Sequence, residues 1–216
     1  MPAADYELVI GDKRWSSWSL RPWLLMTVFG IPFRETPIRL RQQGTAEQLA
    51  RHSPSGLVPV LKASGIAVWD SLAIVEFVAE EHRDKPIWPA DRALRAAART
   101  VSAEMHSGFY SLRKAMPMDF LNVHAAQPVE DDVRRDIERI VALWTACRQR
   151  SGQDGDFLFG AFTAADAMFA PVATRFRSYS VDLRDFGDDG AAAHYATTVL
   201  SLPEMTAWGE GAAREG

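Results

Sequence analysis

At 216 residues the chain is long enough to bury about 70% of its unfolded surface around one or two cores. With 24 basic against 28 acidic side chains and a formal charge of -4 it lacks the basic excess that nucleic acid or an anionic membrane attracts, which points to a small-molecule or protein partner. A single cysteine, Cys147, excludes an internal disulfide, no apolar run reaches the ~20 residues of a membrane span, and MPAADYELVI lacks a secretory pattern, so the expected setting is cytoplasmic.

In chain order, Tyr6 to Ile10 reads as a strand and Leu24 to Phe29 as the body of a helix. Pro22 belongs in a first turn, which sets the expected start of that helix between Trp18 and Leu20. A strand over Phe33 to Leu40 follows, then a short polar helix over Thr45 to His52. Val58 to Ala63, the turn Ser64-Gly65 and Ile66 to Trp69 form a hairpin, and a helix runs from Ser71 to Glu81. This is βαβ followed by ββα. Beyond HRDKPIWPAD only helical patterns occur: Arg92 to Leu121, Val129 to Arg150, Thr163 to Tyr179 and shorter runs. The expected architecture is a small α/β domain over residues 1–82, a linker over 83–91 and an all-helical domain over 92–216.

Two stretches offer chemistry as well as structure. In RWSSWSLRPW, Ser16 and Ser17 fall where the first helix begins. One serine suffices as an N-cap, and a second hydroxyl at a helix N-terminus can donate to an anion that the helix also stabilises. In SPSGLVPVLKASGIAVWDSLAIVEF, Pro59 opens a strand and is a candidate cis proline, leaving Val58 as a backbone edge for an extended peptide-like ligand. Asp70-Ser71 starts the next helix: either residue serves as an N-cap, and together they offer a hydroxyl for a carboxylate and a carboxylate for an ammonium.

Ser16-Ser17, Val58-Pro59 and Asp70-Ser71, in this order and spacing, resemble the soluble glutathione transferases. RWSSWSLRPWLLM is similar to the serine motif of the zeta and theta-like classes, SGLVPVL to the cis-proline loop, and WDSLAIVEFVAE to the segment holding the γ-glutamyl end. FGAFTAADAMFAP is similar to the family's capping box, with Thr163 as N-cap, Asp166 at N3 and Phe162 in the staple position. The resemblance implies a thioredoxin-like N-terminal domain, an all-helical C-terminal domain, a homodimer, and glutathione as cosubstrate without a metal. It assigns the hydroxyl facing the glutathione sulfur to Ser16, with Ser17 the alternative. Val58 and Pro59 would meet the cysteinyl backbone, Asp70 and Ser71 the γ-glutamyl end, and Gln43, less surely Gln42, the glycyl end. The hydroxyl and helix N-terminus would favour the thiolate of a thiol that is otherwise mostly protonated at neutral pH.

Two departures bear on the chemistry. Trp18 stands where the zeta-class pattern has cysteine, which speaks against maleylacetoacetate isomerase activity, and Asp70 stands where relatives carry Glu or Gln. The electrophile pocket is assigned to Trp18, Met105 and Phe109, the last two on a stripe that also reads as core. Arg175 and Arg177 could meet a carboxylated substrate but read first as solvated side chains on a helix face, and Cys147 reads as a core thiol. The histidines show no metal-ligand spacing. The leading reading is a transferase joining glutathione to a small hydrophobic electrophile. Its alternatives are glutathione-dependent isomerisation or peroxide reduction, a binding module with little turnover, and a protein-interaction subunit.

Overall fold

The computed structural model describes residues 6–152 and 155–215. Strand β1 (Tyr6–Gly11) lies centrally, because its Leu8, Val9 and Ile10 are apolar on both faces and all fully buried. It pairs in parallel with β2 (Arg34–Ile38) and antiparallel with β3 (Val60–Ala63), which pairs antiparallel with β4 (Ile66–Trp69), giving the order β2-β1-β3-β4. The period-2 alternation divides the sheet's faces. Leu8 and Ile10 join the main core, which includes residues of helices α1 (Ser17–Val28) and α3 (Ser71–Glu81), while Val9, Ile38 and Val60 form a smaller cluster with Leu49 of α2 (Thr45–His52). The remaining helices are α4 (Arg92–Ser107), α5 (Tyr110–Ala115), α6 (Asp131–Arg150), α7 (Ala164–Ser178), α8 (Ala191–Leu200) and α9 (Pro203–Arg214). Among the described residues no helix is long and apolar enough to cross a membrane.

The structure corrects the sequence reading at three places. Helix α1 starts at Ser17, ahead of the Trp18 to Leu20 window, because the Ser16 side chain accepts from the Ser19 amide; Pro22 then sits in the second turn. The expected helix over Arg92 to Leu121 breaks after Ser107. Gly108 is extended, where a Cβ would lie 2.7 Å from the Glu104 carbonyl oxygen, and Phe109 takes a left-handed conformation before α5. Arg175 and Arg177 are not on a solvated face: α7 is buried along almost its whole length against α1 and α4, and Arg175 is only 3% exposed. Cys147 is buried, and burial pushes its thiol up to about 12, the behaviour of a core residue.

The capping box stands as read. Asp166 Oδ2 accepts from the Thr163 amide at 2.7 Å and hydroxyl at 3.0 Å, and Oδ1 accepts from the Leu158 amide at 3.1 Å. Phe162 packs edge-on against Phe157. Asp166→Ala is therefore expected to cost about 2 to 4 kcal/mol in urea unfolding at neutral pH, since it orphans three buried donors; a loss below about 1 kcal/mol would contradict the bonding described. Burial pushes the Asp166 carboxyl up from 3.8 to about 6, so the folded chain holds this proton more tightly than the unfolded chain. Its contribution to stability thus declines as pH rises from about 4 to about 6, and Asp166→Asn removes that decline from the stability profile.

Candidate active site

The loop before β3, the β4–α3 corner, the start of α1 and the end of α4 enclose an open cleft of about 340 Å³. Val58, half-buried, and Pro59 form one wall, with the Val58-Pro59 peptide cis as expected. The ladders of β3 end at Val60, so Val58 lies outside the strand pairing. Leu57 and Trp69 supply apolar surface at the rim, 68% and 46% exposed.

At the β4–α3 corner Asp70 sits at φ 77°, a conformation that costs a non-glycine residue about 1 to 3 kcal/mol and persists only where surroundings enforce it. One reason is capping: Oδ1 accepts from the Leu72 and Ala73 amides at 2.9 and 3.3 Å. The other carboxylate oxygen, Oδ2, meets His106 Nε2 of α4 at 3.1 Å across the cleft. Ser71 begins α3 at 1% exposure, and its Oγ has no hydrogen-bond partner; nor has the buried His106 Nδ1. A hydroxyl and a ring nitrogen left open beside a carboxylate and a helix N-terminus form a setting for a ligand bearing both carboxylate and ammonium.

The two serines divide their work. Ser16 is the N-cap of α1: its hydroxyl donates to Ser19 Oγ at 2.7 Å, and Ser19 Oγ accepts from the Gly11 amide, so this network points inward. Ser17 Oγ accepts from Arg175 Nη2 at 3.2 Å, which leaves its own proton free to donate elsewhere. Neither serine lines the cleft, at 6% and 8% exposure; the next residue, Trp18, does. Trp18 carries Arg21 on one ring contact at 4.0 Å and Arg113 at 5.2 Å, with His106 edge-on at 5.3 Å.

Of the remaining sequence candidates, Gln43 and Gln42 stay exposed on the turn before α2, away from the cleft lining. Met105 and Phe109 are buried in the main core, and neither lines the cleft. His106, Arg21 and Arg113 are the residues that sequence reasoning passed over. Arg21 carried a signal, the lone charge in a helix whose other residues are apolar or small hydroxyls. Burial, then Arg175 and Arg113, lower its guanidinium well below the ordinary range, and burial lowers Arg175 to about 10. Arg177 donates to the Phe120 carbonyl and is likewise lowered by burial.

Residues 15–81 match the family model of the glutathione S-transferase N-terminal domain, and residues 128–197 that of its C-terminal domain. A probable maleylacetoacetate isomerase of Caenorhabditis elegans is 27% identical over 177 residues, covering 79% of each chain. A maleylacetoacetate isomerase of Rhizobium meliloti is 36% identical over 106 residues, 46% of this chain and 49% of that protein. A Burkholderia glutathione transferase homolog with bound glutathione superposes with a TM-score of 0.73 over 98% of this chain and 100% of its own, at 19% identity, a likeness of fold.

Because the buried Ser71 hydroxyl has no partner, removing it frees an unsatisfied group. Ser71→Ala is expected to leave thermal stability unchanged or raise it by about 1 kcal/mol; a loss of that size would show that the hydroxyl is engaged in the free protein.

Proposed function

The chain belongs to the glutathione S-transferase family, and on that premise we propose that it binds glutathione in the cleft beside Asp70 and Ser71 and activates its thiol for attack on a small hydrophobic electrophile. The observation that carries this reading is the unpartnered, buried Ser71 hydroxyl at the first turn of α3, next to the Asp70 carboxylate. The γ-glutamyl carboxylate accepts from Ser71 Oγ and the Ser71 amide at the N-terminus of α3, and its ammonium meets Asp70 Oδ2 alongside His106. Val58, beside Pro59 and outside the strand ladder, pairs with the cysteinyl backbone, and Gln43 reaches the glycyl end. Residues 1–82 serve as the glutathione-binding unit.

The thiol then falls at the start of α1. Sequence order puts Ser16 first, but hydrogen bonding favours Ser17 as the donor, since Ser16 is engaged with Ser19 and the Ser17 proton is free. The O–H donor and helix N-terminus stabilise the thiolate, whose lone pair attacks the electrophile on the Trp18 side of the cleft, with Met105 and Phe109 as backing from the core. Glutathione-dependent isomerisation is the second reading, supported by the names of the curated relatives and opposed by Trp18 in place of cysteine. Family membership also supports a cytoplasmic homodimer.

Ser17→Ala should depress neutral-pH turnover by about 10- to 1,000-fold, measured against an aryl halide, an alkyl hydroperoxide and a cis-enone diacid. Ser16→Ala should chiefly cost about 1 kcal/mol of stability. Unchanged kinetics in Ser17→Ala would remove it from the chemistry, and calorimetry on Ser71→Ala should show glutathione binding weakened about tenfold or more. In sedimentation, the protein should run at twice the chain mass of 24.0 kDa; a species at the chain mass at micromolar concentration would contradict the dimer.

A further inference from the structure

Three arginines from three helices converge on Ser17 and Trp18. Arg21 of α1, fully buried, gives Nε to the Met168 carbonyl at 3.0 Å and Nη1 to the Ser17 carbonyl at 3.3 Å, and its Nη2 has no partner. Arg175 of α7, 3% exposed, gives Nε to the Met116 carbonyl, Nη1 to the Pro171 carbonyl and Nη2 to Ser17 Oγ. Half-buried Arg113 of α5 stands over Trp18, and its Nε also lacks an acceptor. Among the described residues none of the three is ion-paired to a carboxylate.

Buried cations without counter-ions are costly: burial first, then repulsion from Arg175 and Arg113 for Arg21 and from Arg113 for Arg175, lowers the proton affinity of both. The arrangement is incomplete until an anion joins it. The other ionisable groups facing this place are Asp70 at the N-terminus of α3, His106 of α4, and Tyr179 just past α7, whose hydroxyl donates to the Pro117 carbonyl. His106 Nε2 lies 3.1 Å from Asp70 Oδ2, and the remaining Asp70 oxygen is occupied by two α3 amides. Asp70 therefore offsets only part of three positive charges.

We propose that Arg175 is a positioning residue for thiol activation: it holds the Ser17 oxygen so that the hydroxyl proton points away from it, and with Arg21 and Arg113 it supplies the positive field that keeps bound glutathione as the thiolate. This rests on the glutathione reading of the preceding subsection. In the step itself the S–H bond breaks, the proton leaves to solvent and the electron pair stays on sulfur, which then accepts the Ser17 O–H. Ser17 is never deprotonated and nothing is oxidised. The α1 N-terminus acts in the same direction as the arginines, whereas Trp18, in contact with Arg21 and Arg113, lines the cleft in their place.

The test is the pH titration of thiolate absorbance for glutathione bound to the whole protein, with binding measured in parallel by calorimetry. The wild type should titrate below free glutathione. Arg175→Gln should raise the bound thiol pKa by about one unit, a tenfold loss of thiolate at neutral pH, with glutathione affinity little changed. Arg175→Lys, which retains charge, should restore most of the shift, and Arg113→Gln should move it in the same direction by less. Arg175 also holds two carbonyls, so if Arg175→Gln fails to fold, Arg175→Lys and Arg113→Gln carry the test. Variants that bind glutathione like the wild type and titrate identically to it overturn the proposal. A wild type that binds no glutathione overturns the glutathione reading, and this inference with it.

Discussion

The structure depends on the burial of helix α1 along most of its length. Packed against α7, α3, α9 and the sheet, it buries every residue from Ser19 to Met26, so each polar group on that stretch must be met inside the protein or remain costly. Ser16, Ser19 and the Gly11 amide close one network, and Arg21 reaches the Met168 carbonyl on α7. The same constraint brings Arg175 from α7 to the Ser17 hydroxyl. The seam between the α/β and helical parts is thus crossed by charged side chains at the helix N-terminus where the family's chemistry is expected.

The two parts contribute differently to the cleft. The α/β part supplies groups suited to hold a ligand with both charges: the Val58 edge, the Asp70 carboxylate in a strained conformation, and the open Ser71 hydroxyl at a helix start. The helical part supplies nitrogen groups: the His106 ring beside Asp70, and the guanidinium groups of Arg113 over Trp18 and Arg175 on Ser17. On the proposed reading, binding belongs mainly to the first part and tuning of the reacting group to the second. A docking platform without chemistry has no use for a buried hydroxyl and guanidinium nitrogens left without partners.

Much of this was legible in the sequence where a local rule dominates. The β1 run, the hairpin, the Asp70-Ser71 helix start and the Thr163–Asp166 capping box each follow from residue type over a few positions. What was not legible depends on packing. Ser16 and Ser17 are equally good caps by composition, and only the partners Ser19 and Arg175 separate them. Arg175 and Arg177 look like solvated residues until α7 proves buried along its length, and apolar spacing through Arg92 to Leu121 hides a break at Gly108 and Phe109 set by backbone geometry. His106 gave no signal because its partner, Asp70, lies on another element.

The most direct test of the account is a crystal structure of the protein with glutathione bound. The account predicts the γ-glutamyl carboxylate on Ser71 Oγ, the ammonium beside Asp70, the cysteinyl backbone along Val58, and the sulfur within hydrogen-bond reach of Ser17 Oγ, with Arg175 still on that oxygen. Glutathione bound away from this cleft, or seated in it with its sulfur on Ser16 and Ser17 turned away, would contradict it.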